Sequence, residues 1–470
     1  MRNVHLLVLI HGMWGNPEHL AEMSRIIKET KGLSHSSGKS DANIELDVLL
    51  AQTNRDESTY DGIDWGGERV ADEVDARVRE IETSGGKVVK FSISGYSLGG
   101  LVARYVIGIL LRRSFFKAVQ PVNFTTFATP HIGLLRTSSV WSSLFAVLGP
   151  KLLSRTGEQF YAVDMWGSSE RSLLEVMANR KEIFYQALSL FTYIRIYGNA
   201  VNDTTVPYAT ALIEASDPFV NRAQTGINVE FDRKYDPIIL SYTIPDSPPV
   251  KIRPKPFSPT WFRSIEPTRY LPPPLRTLKF PINAIAVLLL PVLIPVFITL
   301  IVVRLSLHAR SSRARIRLLE GDEQGRESKL VNMFARLERS FEGAVVEMAE
   351  NDVEVDDNTG AGAEQIREKL TPPNTKSKNI NTSISTLSTS AADADADTPR
   401  KPEAGQPLLT PAQLAMVRSL NALPQLTKHR AYIDLLRNSH AAIIARDVAG
   451  FTFHRRGWGV LQHWADAFEL

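Results

Sequence analysis

The stretch Val88-Val-Lys-Phe-Ser-Ile-Ser-Gly-Tyr-Ser97-Leu-Gly-Gly-Leu101 indicates how the centre of this chain folds. Its first half is rich in β-branched and aromatic residues and predicts a buried strand. Its second half opens an apolar pattern at three- and four-residue spacing, which predicts a helix. Between them, Gly95, Ser97 and Gly99 fit the G-x-S-x-G pattern, in which a serine occupies a strained turn and small neighbours avoid clashes. We therefore predict that Ser97 is a nucleophile at the end of a strand.

Short apolar runs alternate with helical patterns throughout residues 1–215. This alternation is typical of a parallel sheet that helices cover on both faces. Together with the serine turn it predicts the α/β class and an α/β-hydrolase fold, with a mostly parallel sheet flanked by helices. The predicted strands are residues 4–10, 44–51, 88–93, 122–127 and 193–197, and the predicted helices are residues 68–81 and 98–111.

A second motif, His11-Gly12-Met13-Trp14-Gly15, directly follows the first predicted strand. In α/β hydrolases this loop supplies one backbone N–H to the oxyanion hole, and the residue after the nucleophile supplies the other. We therefore expect the oxyanion hole to consist of the N–H groups of Met13 and Leu98. His11 fits a structural role in the turn and is not the expected base.

A serine hydroxyl needs a neighbouring imidazole to take its proton, so one of the ten histidines must act as the base. The chain order of this fold is serine, acid, then histidine, which leaves His429, His440, His454 and His463. We favour His440, which lies between an apolar segment and the closing helix, and keep His454 as the alternative. His131 follows the strand after the serine turn and is expected to be structural.

The predicted acid is Asp203, which stands just past the strand at residues 193–197. A carboxylate at the carboxyl end of a strand can orient the imidazole and stabilise its charged form. The alternative interpretation of Asp203 is an Asx turn, and Asp164 is the second candidate for the acid. Asp61 and Asp64 precede the nucleophile and are expected to be turn and cap residues.

At this point the chain resembles the fungal serine esterases, a lipase-like branch of the α/β hydrolases. The resemblance covers residues 1–215 and 430–470, and it implies lipase or phospholipase activity with Ser97, Asp203 and His440 at the triad positions. It is carried by residues 5–15, Tyr60-Asp-Gly-Ile63, Gly95-Tyr-Ser-Leu-Gly-Gly-Leu101, Ala128-Thr-Pro-His-Ile-Gly133, Thr156-Gly157, Ser172-Leu-Leu174, residues 199–207, His440-Ala-Ala-Ile-Ile444 and Arg446.

Composition excludes several other chemistries. The chain has no cysteine, so disulfides, thiolate metal sites and cysteine nucleophiles are excluded. A net charge of +3 is too small to favour a nucleic-acid partner. The sequence shows no metal cluster, phosphate loop or dinucleotide fingerprint, so we expect no cofactor and no metal. The apolar run His5–Ile10 is read as a buried strand, because it is shorter than the core of a signal peptide.

The predicted organisation divides the chain into four parts. The hydrolase core is split by a long insertion, and an apolar stretch after the serine turn predicts a lid over the active site. This stretch contains Val140, Trp141, Leu144, Phe145, Val147, Leu148, Leu152 and Leu153. Residues 1–245 are the first piece of the core, with the lid at 134–190, and residues 406–470 are its last piece. Residues 246–350 contain a Pro-rich stretch, an apolar segment at 280–303, a basic flank and an amphipathic helix. Residues 351–405 are predicted to be a disordered linker.

The apolar segment at residues 280–303 carries no charge and is long enough for one membrane span. Ser97 precedes it and His440 follows it, so a single crossing would put the base and the nucleophile on opposite sides of the membrane. Pro291 and Pro295 lie near its middle and favour a hairpin that dips into one leaflet or a lipid-droplet monolayer. The alternatives are a buried hairpin of a cap domain, and a true span with a second crossing.

These observations together predict a lipid-directed serine hydrolase that cleaves carboxylic esters. Its expected partners are a glycerolipid or phospholipid substrate and a membrane or lipid-droplet surface, at the cytosolic face of the endoplasmic reticulum or of lipid droplets. One alternative is an acyl-thioesterase or depalmitoylase on the same fold. The other is an inactive hydrolase-fold scaffold at a lipid surface.

Overall fold

A single mostly parallel sheet forms the centre of the part of the chain that the computed structural model describes, namely residues 2–32, 44–137, 140–167, 170–245, 289, 292, 294–318, 406–434, 436 and 438–470. Its strands are β1 (Arg2–Ile10), β2 (Ile44–Leu50), β3 (Gly86–Tyr96), β4 (Gln120–Phe127), β5 (Tyr193–Asn199), β6 (Asn228–Phe231), β7 (Ile238–Thr243) and β8 (Leu426–Ala431). Their order is β2-β1-β3-β4-β5-β8-β7-β6. The pairs from β2 to β8 are parallel, whereas β7 and β6 add an antiparallel edge.

Helices cover both faces of this sheet, which confirms the predicted α/β-hydrolase architecture. The α-helices of the described part of the chain are α1 (Ala21–Gly32), α2 (Ile63–Thr83), α3 (Leu98–Arg112), α4 (Val140–Leu152), α5 (Ser154–Phe160), α6 (Leu173–Ala178), α7 (Ile183–Ser189), α8 (Tyr208–Ala211), α9 (Arg222–Thr225), α10 (Ile294–Leu318), α11 (Pro411–Leu420) and α12 (Trp458–Ala467).

Strand β1 shows why its sequence is apolar at consecutive positions. Successive side chains of a strand point to opposite faces of the sheet. Leu6 and Val8 belong to the core cluster that contains residues of α2 and α3, whereas Leu7 and Leu9 belong to the cluster that contains residues of α1 and α12. Because both faces are covered by helices, both sets of side chains must be apolar.

The strand order places a crevice where the candidate site is expected. β1 lies between β2 and β3, so the chain leaves β1 towards one side of the sheet and returns on the other. In open α/β sheets, ligands bind outside the carboxyl ends of the strands at such a switch point. Ser97 follows β3 and Gly12 follows β1, so the two predicted motifs flank this crevice.

Strands β6, β7 and β8 were not among the predicted strands. β8 pairs in parallel with β5, from Ile194 opposite Leu426 to Asn199 opposite Ala431. This pairing brings the segment after β8, which carries His440, beside the segment after β5, which carries Asp203. The predicted closing helix is confirmed as α12.

The predicted lid region, residues 134–190, contains two kinds of surface. α6 and α7 are part of the core, and Leu174 and Phe184, for example, are buried. By contrast, Leu144 and Val147 on α4 are 44% and 60% exposed. The lid stays a prediction, and Val163, Met165 and Leu190 in the same region are exposed as well. The side chains of Val140, Trp141 and Phe145 lie outside the described part.

The long insertion is described only around α10. The predicted Pro-rich stretch, the first arm of the predicted hairpin, the amphipathic helix near residues 330–348 and the linker at 351–405 lie outside the described residues. α10 continues past Val303 and through the basic flank, so this flank is helical. Pro295 lies within this helix, so the structure does not place the predicted hairpin turn at this residue. α10 is long and apolar enough to cross a membrane, with a mean hydropathy of 1.4 in its most apolar window.

Candidate active site

The turn from β3 to α3 holds Ser97 in an unusual backbone conformation. Its φ of 55° and ψ of −122° lie in a region that non-glycine residues seldom adopt. The Ser97 N–H donates to the Phe127 carbonyl at 2.8 Å, which fixes this turn to the end of β4. The side chain is 6% exposed. The conformation is that of the strained elbow predicted from the sequence.

Two glycines allow this turn to pack closely. A Cβ on Gly95 would lie 2.3 Å from the Gly99 carbonyl oxygen, and a Cβ on Gly99 would lie 2.2 Å from the Ile10 carbonyl oxygen. Both contacts involve backbone atoms, which cannot rotate away. The G-x-S-x-G pattern therefore reflects close contact of the elbow with itself and with the end of β1.

The imidazole of His440 joins the serine to the acid. Its Nε2 lies 3.0 Å from the Ser97 Oγ, and its Nδ1 lies 2.9 Å from the Asp203 Oδ2. One tautomer satisfies both contacts, because Nδ1–H donates to the carboxylate while Nε2 accepts from the hydroxyl. The structure thus brings together the three predicted residues, which come from the segments after β3, β5 and β8.

Asp203 combines the two roles that the sequence left open. Its Oδ1 accepts from the N–H groups of Thr205 and Val206 at 3.0 and 2.8 Å, which is an Asx turn. Its Oδ2 accepts from the Asn199 side-chain amide at 2.9 Å and faces His440. Its side chain is only 1% exposed. These donors hold the carboxylate in one orientation.

The loop that carries His440 is fixed by contacts on two sides. The Ser439 hydroxyl donates to the Val201 carbonyl at 2.8 Å, and the Ser439 N–H donates to the Asn202 carbonyl at 2.9 Å. The Tyr96 hydroxyl donates to the His440 carbonyl at 3.1 Å. Burial raises the pKa of Tyr96 above its usual value, so this hydroxyl keeps its proton. The base is therefore tied both to the loop of the acid and to the elbow.

The loop after β1 lies directly against the nucleophile. A Cβ on Gly12 would lie 2.8 Å from the Ser97 Cβ. The Trp14 indole N–H donates to the Tyr60 hydroxyl at 2.8 Å, and the Trp14 N–H donates to the Thr59 hydroxyl at 3.2 Å, so the loop is held in place. Burial is the main cause that lowers the pKa of His11, which therefore stays neutral and fits a structural role.

The two expected oxyanion donors lie on this loop and on the elbow. Leu98 is the first residue of α3, where the backbone N–H has no partner within the helix. Met13 lies between Gly12 and the anchored Trp14. The oxyanion hole itself stays a prediction, since it is defined only by the position of a reacting oxygen.

The N-terminal half of the chain matches a known family. Residues 1–217 match the family described as "Putative serine esterase (DUF676)". The match covers 217 of the chain's 470 residues.

Two yeast proteins are similar to the same part of the chain. "Putative lipase C4A8.10" of Schizosaccharomyces pombe is 30% identical over 223 residues, which are 46% of this chain and 27% of the relative. "Putative lipase ROG1" of Saccharomyces cerevisiae is 25% identical over 252 residues, which are 49% of this chain and 34% of the relative. The chain thus spans about a third of the length of the curated relatives that it matches.

Among solved structures, the phospholipase PlaB of Legionella pneumophila is similar at 13% identity and a TM-score of 0.24, over 45% of this chain and 43% of that chain. A TM-score this low supports no conclusion about this protein. Its fold assignment rests on the strand order and the elbow.

The alternative candidates for the base and the acid have other hydrogen-bond partners. His454 Nδ1 accepts from the Asp447 N–H at 3.0 Å, and His131 Nε2 lies 2.8 Å from the Thr126 hydroxyl. His463 Nδ1 lies 2.8 Å from the Tyr197 hydroxyl, and the ring of His429 stacks on that tyrosine. Asp164 Oδ2 accepts from the Leu173 N–H at 2.9 Å, at the start of α6.

The interpretation of Asp61 as a turn residue was incomplete. Its side chain is 1% exposed and accepts hydrogen bonds from Arg69, Ser312 and Arg315. Sequence reasoning missed this role because two of the partners lie about 250 residues further along the chain. Asp64 lies in the first turn of α2, as expected, and also pairs with Arg155.

Proposed function

We propose that this protein hydrolyses carboxylic ester bonds of lipids through an acyl-enzyme on Ser97. The observation that carries the proposal is the chain of two hydrogen bonds from Ser97 through His440 to Asp203. The elbow conformation of Ser97 and the match of residues 1–217 to a serine esterase family support the same chemistry.

The proposed reaction has two halves. The Ser97 Oγ attacks the ester carbonyl carbon while His440 Nε2 takes its proton, and Asp203 stabilises the imidazolium. The Met13 and Leu98 N–H groups stabilise the tetrahedral oxyanion. The C–O bond then breaks, the alcohol leaves with the proton from His440, and a water molecule hydrolyses the acyl-enzyme by the same steps.

A lipid substrate is supported by apolar surface on α4. Leu144, Val147 and Leu148 of α4 are exposed, and exposed apolar groups of this kind suit contact with acyl chains. The two yeast relatives are described as lipases. α10 further supports association with a membrane or lipid-droplet surface, which we propose to be a cytosolic one. A glycerolipid or phospholipid is accordingly the proposed substrate class.

The proposal is tested by comparing Ser97→Ala and His440→Ala with the wild-type protein. We expect both variants to lose hydrolysis of a long-chain glycerolipid, and Ser97→Ala to lose covalent labelling by a fluorophosphonate. His454→Ala is the matched control and should retain activity. Retained labelling in Ser97→Ala, or loss of activity only in His454→Ala, would contradict the assignment. A wild-type enzyme that cleaves acyl thioesters but no glycerolipid would favour the thioesterase alternative.

A further inference from the structure

The two halves of α10 have different surroundings. All residues from 294 to 303 are exposed, and Phe297 and Leu300 are 65% and 62% exposed. In the second half, buried residues recur at helical spacing: Ala309, Ser312 and Ile316. The second half therefore docks one face on the hydrolase domain, while the first half projects away from it.

The second half is docked through a buried ionic cluster, which we call the seat and define as Asp61, Arg69, Ser312 and Arg315. The Ser312 hydroxyl donates to Asp61 Oδ1 at 2.7 Å, and Arg315 donates to the same oxygen at 2.9 Å. Arg69 donates to Asp61 Oδ2 at 3.1 Å. A buried carboxylate with charge-assisted partners on both oxygens fixes direction as well as position. The seat thus orients α10 relative to the domain.

The seat lies beside the loop that carries the predicted oxyanion donor Met13. Tyr60 precedes Asp61, and its hydroxyl accepts from the indole of Trp14, the residue after Met13. The ring of His308 on α10 lies 5.9 Å from the ring of Tyr60. α10 therefore leaves the domain next to the active-site loop rather than at a remote surface.

A lipid leaflet fits the exposed half of α10 better than a protein does. Consecutive residues of a helix advance by about 100°, so residues 294–303 present apolar side chains around the whole circumference. A groove or a second copy of the chain would cover one face and leave the others in water, whereas hydrocarbon surrounds all of them.

Length and charge add to this argument. The described residues 294–303, at 1.5 Å each, span about 15 Å, which is long enough to reach through one leaflet of a hydrocarbon core of about 30 Å. The first charge after the apolar half is Arg304, which would then lie at the head groups. Arg310, Arg313 and Arg317 follow and are exposed. Such a series of cations favours anionic lipid.

We propose that α10 inserts its exposed half into an anionic leaflet, and that the seat on Asp61 holds the active-site mouth against this leaflet. This inference rests on the proposed function, because insertion serves hydrolysis only if the substrate is a lipid ester that must leave the leaflet to reach Ser97. It adds the composition of the surface, the depth of insertion and the residues that set the orientation.

Insertion is tested with labels at single introduced cysteines, because the chain has no cysteine of its own. An environment-sensitive dye is attached in Phe297→Cys and, as matched control, in Leu240→Cys, where the leucine is 66% exposed on β7. With vesicles of phosphatidylcholine and phosphatidylserine, the dye at 297 should shift to the blue, whereas the dye at 240 should not. Arg310→Gln should weaken vesicle binding by about fivefold.

Three results would overturn the proposal of insertion. One is a dye at 297 that does not respond to these vesicles. Another is equal binding to vesicles of phosphatidylcholine alone. The third is efficient disulfide cross-linking of two copies through position 297 without vesicles, which would identify a second copy as the occupant.

The seat is tested with a dye in Val147→Cys on α4, whose last turn accepts a hydrogen bond from Arg313 through the Lys151 carbonyl. We expect a smaller vesicle-dependent shift at 147 than at 297. Ser312→Leu should abolish the shift at 147 but not at 297, and Ser312→Ala serves as a milder variant if the first fails to fold. A shift at 147 that neither variant changes would overturn the role of the seat. Hydrolysis of a soluble short-chain ester is measured in parallel, and its absence in the wild type would contradict the proposed function independently of the fluorescence.

Discussion

Replacement of Gly12 by alanine is expected to slow ester hydrolysis by about a hundredfold without unfolding the protein. The new Cβ would lie 2.8 Å from the Ser97 Cβ and 3.2 Å from the Tyr96 carbonyl oxygen. Carbon atoms in contact normally lie about 3.5–4.0 Å apart, so Ser97 or the loop with Met13 must move by roughly 1 Å. A displacement of about 1 Å at an active site can reduce the rate by about a hundredfold.

The assay is kcat/KM for a short-chain p-nitrophenyl ester, together with the rate of fluorophosphonate labelling and the Tm. Gly32→Ala is the matched control, because a Cβ at Gly32 has no heavy atom within 4 Å. We expect Gly12→Ala to lose activity and labelling in parallel, with a Tm close to that of Gly32→Ala. A folded Gly12→Ala variant with the wild-type kcat/KM would refute the reasoning that the loop and the nucleophile are in rigid contact.

Two further predictions concern the acid and a buried histidine. Asp203→Asn keeps an acceptor for Thr205 and Val206 but disfavours the tautomer that His440 needs, so kcat should fall by about 10⁴ with an unchanged circular dichroism spectrum; a fall below tenfold would argue against Asp203 as the acid. Burial lowers the pKa of His5 from 6.5 to about 3, so between these values the unfolded chain binds a proton that the folded chain does not. The free energy of unfolding should therefore fall as the pH falls from about 6.5, by up to about 1.4 kcal/mol per pH unit from this group. Urea denaturation at several pH values should give a shallower dependence for His5→Gln, and equal slopes would contradict the assignment.

The parts of the site that could be predicted from the sequence are those whose geometry is fixed by residues close together in the chain. The elbow needs a serine at positive φ between two glycines, and both the pattern and its strand and helix lie within residues 88–111. The loop from His11 to Gly15 likewise follows its strand directly. Asp203 could be found because it stands just past the predicted strand at residues 193–197. In each of these cases the interactions that fix the geometry join residues close together in sequence.

Strand β8 could not be predicted in the same way. Its sequence, Leu426-Thr-Lys-His-Arg-Ala431, is largely polar and lacks the apolar run of a strand buried on both faces. It is a strand because it pairs with β5 on one side and β7 on the other, and both of these strands lie far from β8 in the sequence. The polar side chains are satisfied there: Lys428 pairs with Glu214, and the Arg430 side chain donates to the Tyr208 hydroxyl.

The position of His440 opposite Ser97 depends on how the chain re-enters the domain after the insertion. The Gln406 side chain exchanges two hydrogen bonds with Asp217, accepting from its N–H at 3.1 Å and donating to its carbonyl at 3.0 Å. Two residues later, the Leu408 N–H donates to the Arg136 carbonyl at 2.8 Å, before α11 begins at Pro411. Since both partners belong to the first piece of the domain, the return point is fixed independently of the length of the insertion. Loop closure entropy grows only slowly with loop length, so an insertion at the edge of the sheet is compatible with a base that reaches its nucleophile. This explains how the hydrogen-bonded chain from Ser97 through His440 to Asp203 can be assembled from residues on both sides of a long insertion.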